Sequence, residues 1–127
     1  MNYKDLYHDL ILEHYNHPRN KGVMNTSDIS SGAYNPSCGD SVSIQASVEN
    51  SSIDQCKFQV EGCVISAAAT SLLVDACIGL SLDSVLALDK EFILDLIKIP
   101  LGPTRLRCAL LVLEALQNGI KKYQQTI

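Results

Sequence analysis

Asp40-Ser41-Val42-Ser43-Ile44-Gln45-Ala46-Ser47-Val48-Glu49 is the stretch on which the fold turns. Val42, Ile44, Ala46 and Val48 fall on one side of an extended chain. Ser41, Ser43, Gln45, Ser47 and Glu49 fall on the other, which describes a strand with one buried and one wet face. Glu49-Asn50-Ser51-Ser52 then turns the chain, and Cys56, Phe58 and Val60 alternate with Gln55, Lys57, Gln59 and Glu61. Two such runs about a short polar link predict a hairpin, and Gly32 to Ser37 supplies a shorter third strand.

Outward from the hairpin the period changes. Cys63 to Ile78 reads as a helix rich in small residues (Ala67, Ala68, Ala69) that lets it lie close to the sheet, with Gly79 as its stop. Ser81 to Ala87 is a short helix capped by Ser81, and Asp89 to Lys98 another. Pro100-Leu101-Gly102-Pro103 breaks the chain before a long last helix, Thr104 to about Tyr123, in which only Arg107, Glu114, Asn118 and Lys121 form a polar face. On the other side of the hairpin, Asn20 to Ser31 is a polar loop. Tyr3 to Tyr15 is a helix with Leu6, Leu10, Ile11 and His14 on one stripe, ended by His17-Pro18. The expected architecture is α+β: a small three-stranded antiparallel sheet with helices packed on one face, in a single domain of residues 1–127.

With 14 acidic against 10 basic residues and no basic block, the charge argues against nucleic acid or an anionic membrane as partner. With Lys4, Asp5, Asp9 and Glu13 the first helix reads as neither a signal peptide nor an obvious transit peptide, and the most apolar run, Cys63 to Leu80, is broken by Thr70, Ser71 and Asp75. A soluble cytoplasmic protein is expected. In that setting five cysteines, an odd count, point to metal binding or thiol chemistry rather than a disulfide framework.

Chain geometry sorts those cysteines. Cys77 is 14 residues beyond Cys63, about 21 Å along a continuous helix. Cys56 is seven residues before it, about 23 Å along a strand. Both read as small buried hydrophobes. Cys38 and Asp40 project to the same side of extended chain, with Gly39 free to wrap a bound atom. Cys63 opens a helix, and Cys108 lies one turn into the last helix beside Arg105 and Arg107; both settings favour thiolate. Cys38, Asp40, Cys63 and Cys108 are left as candidate ligands. On spacing alone a shared metal site and a set of packed thiols beside a turn aspartate remain equal readings, since gaps of 25 and 45 residues are not a compact zinc signature. His14 and His17 are a weaker pair, cut off by Pro18, and His8 reads as solvated. All three histidines lie in the first 17 residues, on a helix read as solvated, which disfavours Cys-His hydrolase chemistry; the absence of H-x-E with P-C-x-x-C disfavours a zinc deaminase.

Tyr34-Asn35-Pro36-Ser37-Cys38-Gly39-Asp40, Glu61-Gly62-Cys63-Val64-Ile65-Ser66-Ala67-Ala68-Ala69-Thr70-Ser71 and Arg105-Leu106-Arg107-Cys108-Ala109 resemble the three cysteine motifs of the NifU/IscU/SufU family of iron–sulfur cluster assembly scaffolds. The opening Leu6-Tyr7 through Ile11-Leu12-Glu13-His14-Tyr15 to Pro18-Arg19-Asn20-Lys21-Gly22 resembles that family's N-terminal segment. The resemblance implies an IscU/SufE-like α+β fold and a site of Cys38, Asp40, Cys63 and Cys108. There a transient [2Fe-2S] cluster is built from iron and from sulfur delivered by a cysteine desulfurase, then passed to acceptor apo-proteins, with Zn²⁺ held in the same site at other times. It implies a carrier rather than an enzyme with its own turnover. Soft thiolates suit both cargoes, and Asp40, the harder ligand, is the labile corner.

Two positions depart from the family pattern. Arg107 stands where the scaffolds carry histidine, and a guanidinium has no lone pair to give a metal. This arginine resembles the SufU branch, and it implies an alternative, a zinc-dependent sulfurtransferase that accepts persulfide sulfur on Cys108, with Cys38 as rival. The 45-residue step from Cys63 to Cys108 is too short for that branch's insertion. At Leu101-Gly102-Pro103-Thr104-Arg105 only the leucine, one proline and a basic residue match a Leu-Pro-Pro-Val-Lys motif bound by an Hsp70-type chaperone, which argues against chaperone-assisted release.

Overall fold

The computed structural model describes residues 3–37, 39–98 and 100–126, with side chains from residue 9 onward. Its elements are α1 (Tyr3–Asn16), β1 (Ile29–Asn35), β2 (Asp40–Glu49), β3 (Ser52–Glu61), α2 (Val64–Cys77), α3 (Leu82–Leu86), α4 (Lys90–Ile97) and α5 (Pro103–Gln125). The three strands form one antiparallel sheet in the order β1-β2-β3. This is the α+β fold read from the sequence.

The hairpin of β2 and β3 turns through Asn50 (φ 53°) and Ser51 (φ 61°), two left-handed residues of the kind a tight hairpin needs. Its register carries a bulge: Val48 pairs with Ile53 but Ser47 pairs with Gln55, leaving Asp54 as the extra residue. The bulge reconciles the sequence with the core. Strict alternation back from Cys56 would aim Asp54 inward; the extra residue turns Asp54 out and buries Ile53 instead.

The loop before the sheet differs from expectation in two respects. β1 starts at Ile29 rather than Gly32, because Ile29 pairs with Ala46 and is buried in the core, so the polar loop is shorter than its composition suggests. The segment at Asn20–Gly22 is also tied down. Gly22 N–H donates to Phe58 O at 2.9 Å and Phe58 N–H to Asn20 O at 3.2 Å, covering the outer edge of β3.

α5 and α2 pack on the sheet with Leu73, Val74, Leu111, Val112, Ala115, Leu116 and Ile120 buried between them, and α1 lies against α2. α5 is central, as its apolar stripes require, and its exposed positions include Arg107, Glu114, Asn118 and Lys121. Gln117 is pinned in this frame by donating to Leu88 O at 2.9 Å and Val85 O at 3.1 Å, which joins α5 to the chain around α3.

Candidate metal centre

Asp40 is the first residue of β2 and lies on its buried side with Val42 and Ile44, at 2% exposure. The turn before it is built by Asn35, whose carbonyl accepts from Gly39 N–H at 2.8 Å and whose Oδ1 accepts from Ser37 N–H at 3.1 Å. Gly39 has φ 77°, a backbone only glycine adopts freely, so the extended chain stops there. The side-by-side projection inferred for Cys38 and Asp40 assumed extended chain through that glycine and therefore loses its basis. Cys38 itself lies outside the described residues.

Cys63 is the N-cap of α2, with Ser66 N–H donating to its Sγ at 3.4 Å. Cys63 N–H donates to Asp40 Oδ1 at 3.2 Å, and the thiol donates to Oδ2 at 3.5 Å. A metal ion held here would take the place of that thiol proton. Cys108, buried in the second turn of α5, completes the group. One ligand atom each from Asp40, Cys63 and Cys108 lies within 4.8 Å of the others. Donors around one zinc at about 2.3 Å stand roughly 3.8 Å apart, so an ion needs only a small contraction. Residues separated by 23 and 45 positions in the chain thus converge where the ends of β2, α2 and α5 meet.

The excluded cysteines behave as the chain distances require. Cys56 and Cys77 are 1% and 0% exposed, and burial pushes each thiol up to about 12, helped for Cys77 by its neighbour Cys56. Neither ionises at neutral pH. Alanine at either position is expected to leave zinc stoichiometry unchanged and to cost about 1 kcal/mol of stability through the small cavity formed, checked by metal analysis and urea denaturation. Arg105 and Arg107 are both exposed.

Gly62 is the residue that composition alone did not mark as part of the site. A Cβ there would stand 2.6 Å from Asp40 Cγ and Oδ1, so the carboxylate occupies the space a side chain would take. The signal available in the sequence was a glycine at the strand-to-helix junction immediately before Cys63.

The solvated reading of the histidine helix is corrected at His14, which is 3% exposed. His14 Nδ1 and Ser71 Oγ lie 2.8 Å apart, and Ser71 Oγ also accepts from Arg19 N–H at 2.9 Å. Burial, and secondarily the Arg19 charge, pull the His14 pKa below 6.5; Glu13 and Asp75 oppose this more weakly. The unfolded chain therefore takes up a proton near pH 6.5 that the folded chain refuses until lower pH. Stability is expected to fall as pH drops below about 6.5 and to be flat above about 7.5. Denaturation midpoints across pH 5.5–8 check this, and His14→Gln should remove most of that slope.

Residues 6–127 match the NifU-like N-terminal domain. The chain belongs to that family. Similar proteins include the zinc-dependent sulfurtransferase SufU of Bacillus subtilis, 34% identical over 139 aligned positions covering 95% of this chain and 93% of the relative. They also include iron sulfur cluster assembly protein 2, mitochondrial, of Saccharomyces cerevisiae, 32% identical over 126 positions covering 95% and 80%. The N-terminal part of a nitrogen-fixing NifU-like protein from Brucella abortus has the same fold, with a TM-score of 0.80 over 98% of each chain at 16% identity. Against this NifU-like chain the SufU alignment is longer, 139 positions to 127 residues, so at least 12 of them face no residue here. No helix among the described residues of this NifU-like domain is long and apolar enough to cross a membrane.

Proposed function

We propose that the chain is a scaffold on which a [2Fe-2S] cluster is assembled from iron and desulfurase-derived sulfur and then handed to acceptor apo-proteins. The observation that carries this is the convergence of Asp40, Cys63 and Cys108 within 4.8 Å, with Cys63 exposed and the other two buried. Membership of the NifU-like family supports the cargo. Cys38, from the family motif, is the proposed fourth ligand. Two or three thiolates and a carboxylate make a donor set that suits iron–sulfur chemistry and zinc alike, with the hard Asp40 oxygen as the bond that breaks first on release. Cys108 stays proposed as persulfide acceptor from the desulfurase, with Cys38 as rival; its burial means that the thiol must be uncovered first, and the exposed Cys63 is the thiol a partner reaches without that step.

The second reading, a zinc-dependent sulfurtransferase that accepts sulfur from a cysteine desulfurase, is favoured by the SufU relative and by Arg107. Against it stands the extra length of that relative in the alignment. Anaerobic incubation with ferrous iron, cysteine, a cysteine desulfurase and excess thiol, which reduces persulfide sulfur to sulfide, separates the two. Stoichiometric iron and acid-labile sulfide are the expected result. Faster desulfurase turnover with bound zinc and no sulfide would establish sulfur transfer instead.

A further inference from the structure

We infer that the Ser66 hydroxyl is a positioning group for the loaded site, donating a hydrogen bond to the sulfur held between Asp40, Cys63 and Cys108; the inference rests on the metal-site reading above. Ser66 is 1% exposed, and its Oγ has no hydrogen-bond partner among the described residues. Leaving a buried hydroxyl unpaired is unfavourable, since its bonds to water are lost and not replaced. A serine inside a helix ordinarily relieves this by bonding to the carbonyl four residues back. Thr70 does so, onto Ser66 O at 2.7 Å. For Ser66 that carbonyl belongs to Gly62, which precedes the N-cap and lies outside α2, and the Ser66 Oγ bonds neither to it nor to the Cys63 carbonyl.

Two bearings place the hydroxyl near the candidate metal centre. Ser66 N–H is already on Cys63 Sγ at 3.4 Å. Nitrogen and Oγ of one serine are at most about 3.7 Å apart, which holds the hydroxyl within about 7 Å of that sulfur. The second bearing comes from how α2 returns along β3. Cys77 near its end neighbours Cys56, and both are buried in one core. Eleven residues back along the helix to Ser66 cover about 16 Å, and five residues forward along the strand to Glu61 cover about the same. Glu61 pairs with Ser41, so Ser66 sits over the end of the sheet where Asp40 begins β2. A hydroxyl rotates to suit its partner, and a thiolate or a bridging sulfide accepts but cannot donate. Loading the site therefore supplies what Ser66 lacks. Donors of this kind hold a ligating sulfur in place and tune the metal it binds.

The test compares the full chain with Ser66→Ala and Ser66→Thr. Zinc affinity is read by chelator competition, the thiolate-to-cobalt charge-transfer band by absorption, and stability of the metal-free protein by urea denaturation. Ser66→Ala should bind zinc about tenfold more weakly and shift the cobalt band. Its metal-free midpoint should stay at or above wild type, since an unpaired hydroxyl has been removed. Ser66→Thr should restore affinity and band position. Zinc affinity of Ser66→Ala within twofold of wild type overturns the inference, as does a metal-free midpoint that falls along with affinity. Should wild type itself take up neither zinc nor iron and sulfide, the metal-site reading falls first and this inference with it.

Discussion

Gly62→Ala is expected to weaken zinc binding at least tenfold and to destabilise the fold by about 1–3 kcal/mol. The new methyl would stand 2.6 Å from Asp40 Cγ and Oδ1 and 3.0 Å from its Cβ, closer than real Cβ atoms come to their neighbours. Asp40 has no room to retreat inward, being 2% exposed, and its Oδ1 is already engaged by Cys63 N–H. Relief comes by swinging the carboxylate away from Cys63 and Cys108 or by moving the end of β3, and either opens the ligand group. Gly62 does not have a positive φ, so the penalty is contact rather than backbone strain. Chelator competition and urea denaturation measure the two effects. Removing the clash with Asp40→Gly in the Gly62→Ala background should return most of the stability and none of the metal affinity, a coupling that a double-mutant cycle reads directly. A Gly62→Ala protein that binds zinc as tightly as wild type would show that Asp40 does not need this space.

The other large effect is confined to the fold. At Gly119 a Cβ would meet Ile29 Cγ2 at 2.8 Å and Ser31 Cβ at 2.9 Å, atoms close to the backbone of β1 that cannot move aside cheaply. Alanine gains about 1 kcal/mol of helix propensity and loses about 1–3 to overpacking, so Gly119→Ala should be mildly destabilising. Gly119→Leu gains nearly as much propensity but drives three further carbons into the same contact, and should cost about 3 kcal/mol or more by pushing α5 off the sheet. Because Gly119 is 11 residues past Cys108, about 16 Å along α5, the zinc affinity of whatever protein remains folded should match wild type. Loss of metal at Gly119→Ala with stability intact would contradict that separation of roles.

How much of this was legible depends on whether the deciding neighbour was local. The alternation of Val42, Ile44 and Ala46 identified β2 because one face of a strand is buried as a unit. Ile29 offered no such pattern. It is an isolated apolar residue in Thr26-Ser27-Asp28-Ile29-Ser30-Ser31, and it becomes strand through its rung with Ala46 and through Asp28, which is held by accepting from Val48 N–H at 2.8 Å. Ile53 and Asp54 exchanged faces because a bulge is a property of two paired strands, invisible in either alone. His14 was placed on the apolar stripe by its spacing, yet its burial depends on Ser71, 57 residues away. The adjacent polar pair Thr70 and Ser71 in a largely apolar helix was the available hint of a buried partner.

Cysteine number and spacing, read with rise per residue, were enough to remove Cys56 and Cys77 from any site shared with Cys63, since a chain of fixed geometry cannot bring residues together along one straight element. They were not enough to bring Asp40, Cys63 and Cys108 together. That required α5 to lie across the sheet with its second turn at the start of α2, an arrangement set by the packing of Leu73, Val112 and Leu116 and by the close crossing at Gly119. The identity of the candidate ligands is thus written in residue type, whereas their proximity is a by-product of burying apolar surface far from the candidate ligands themselves.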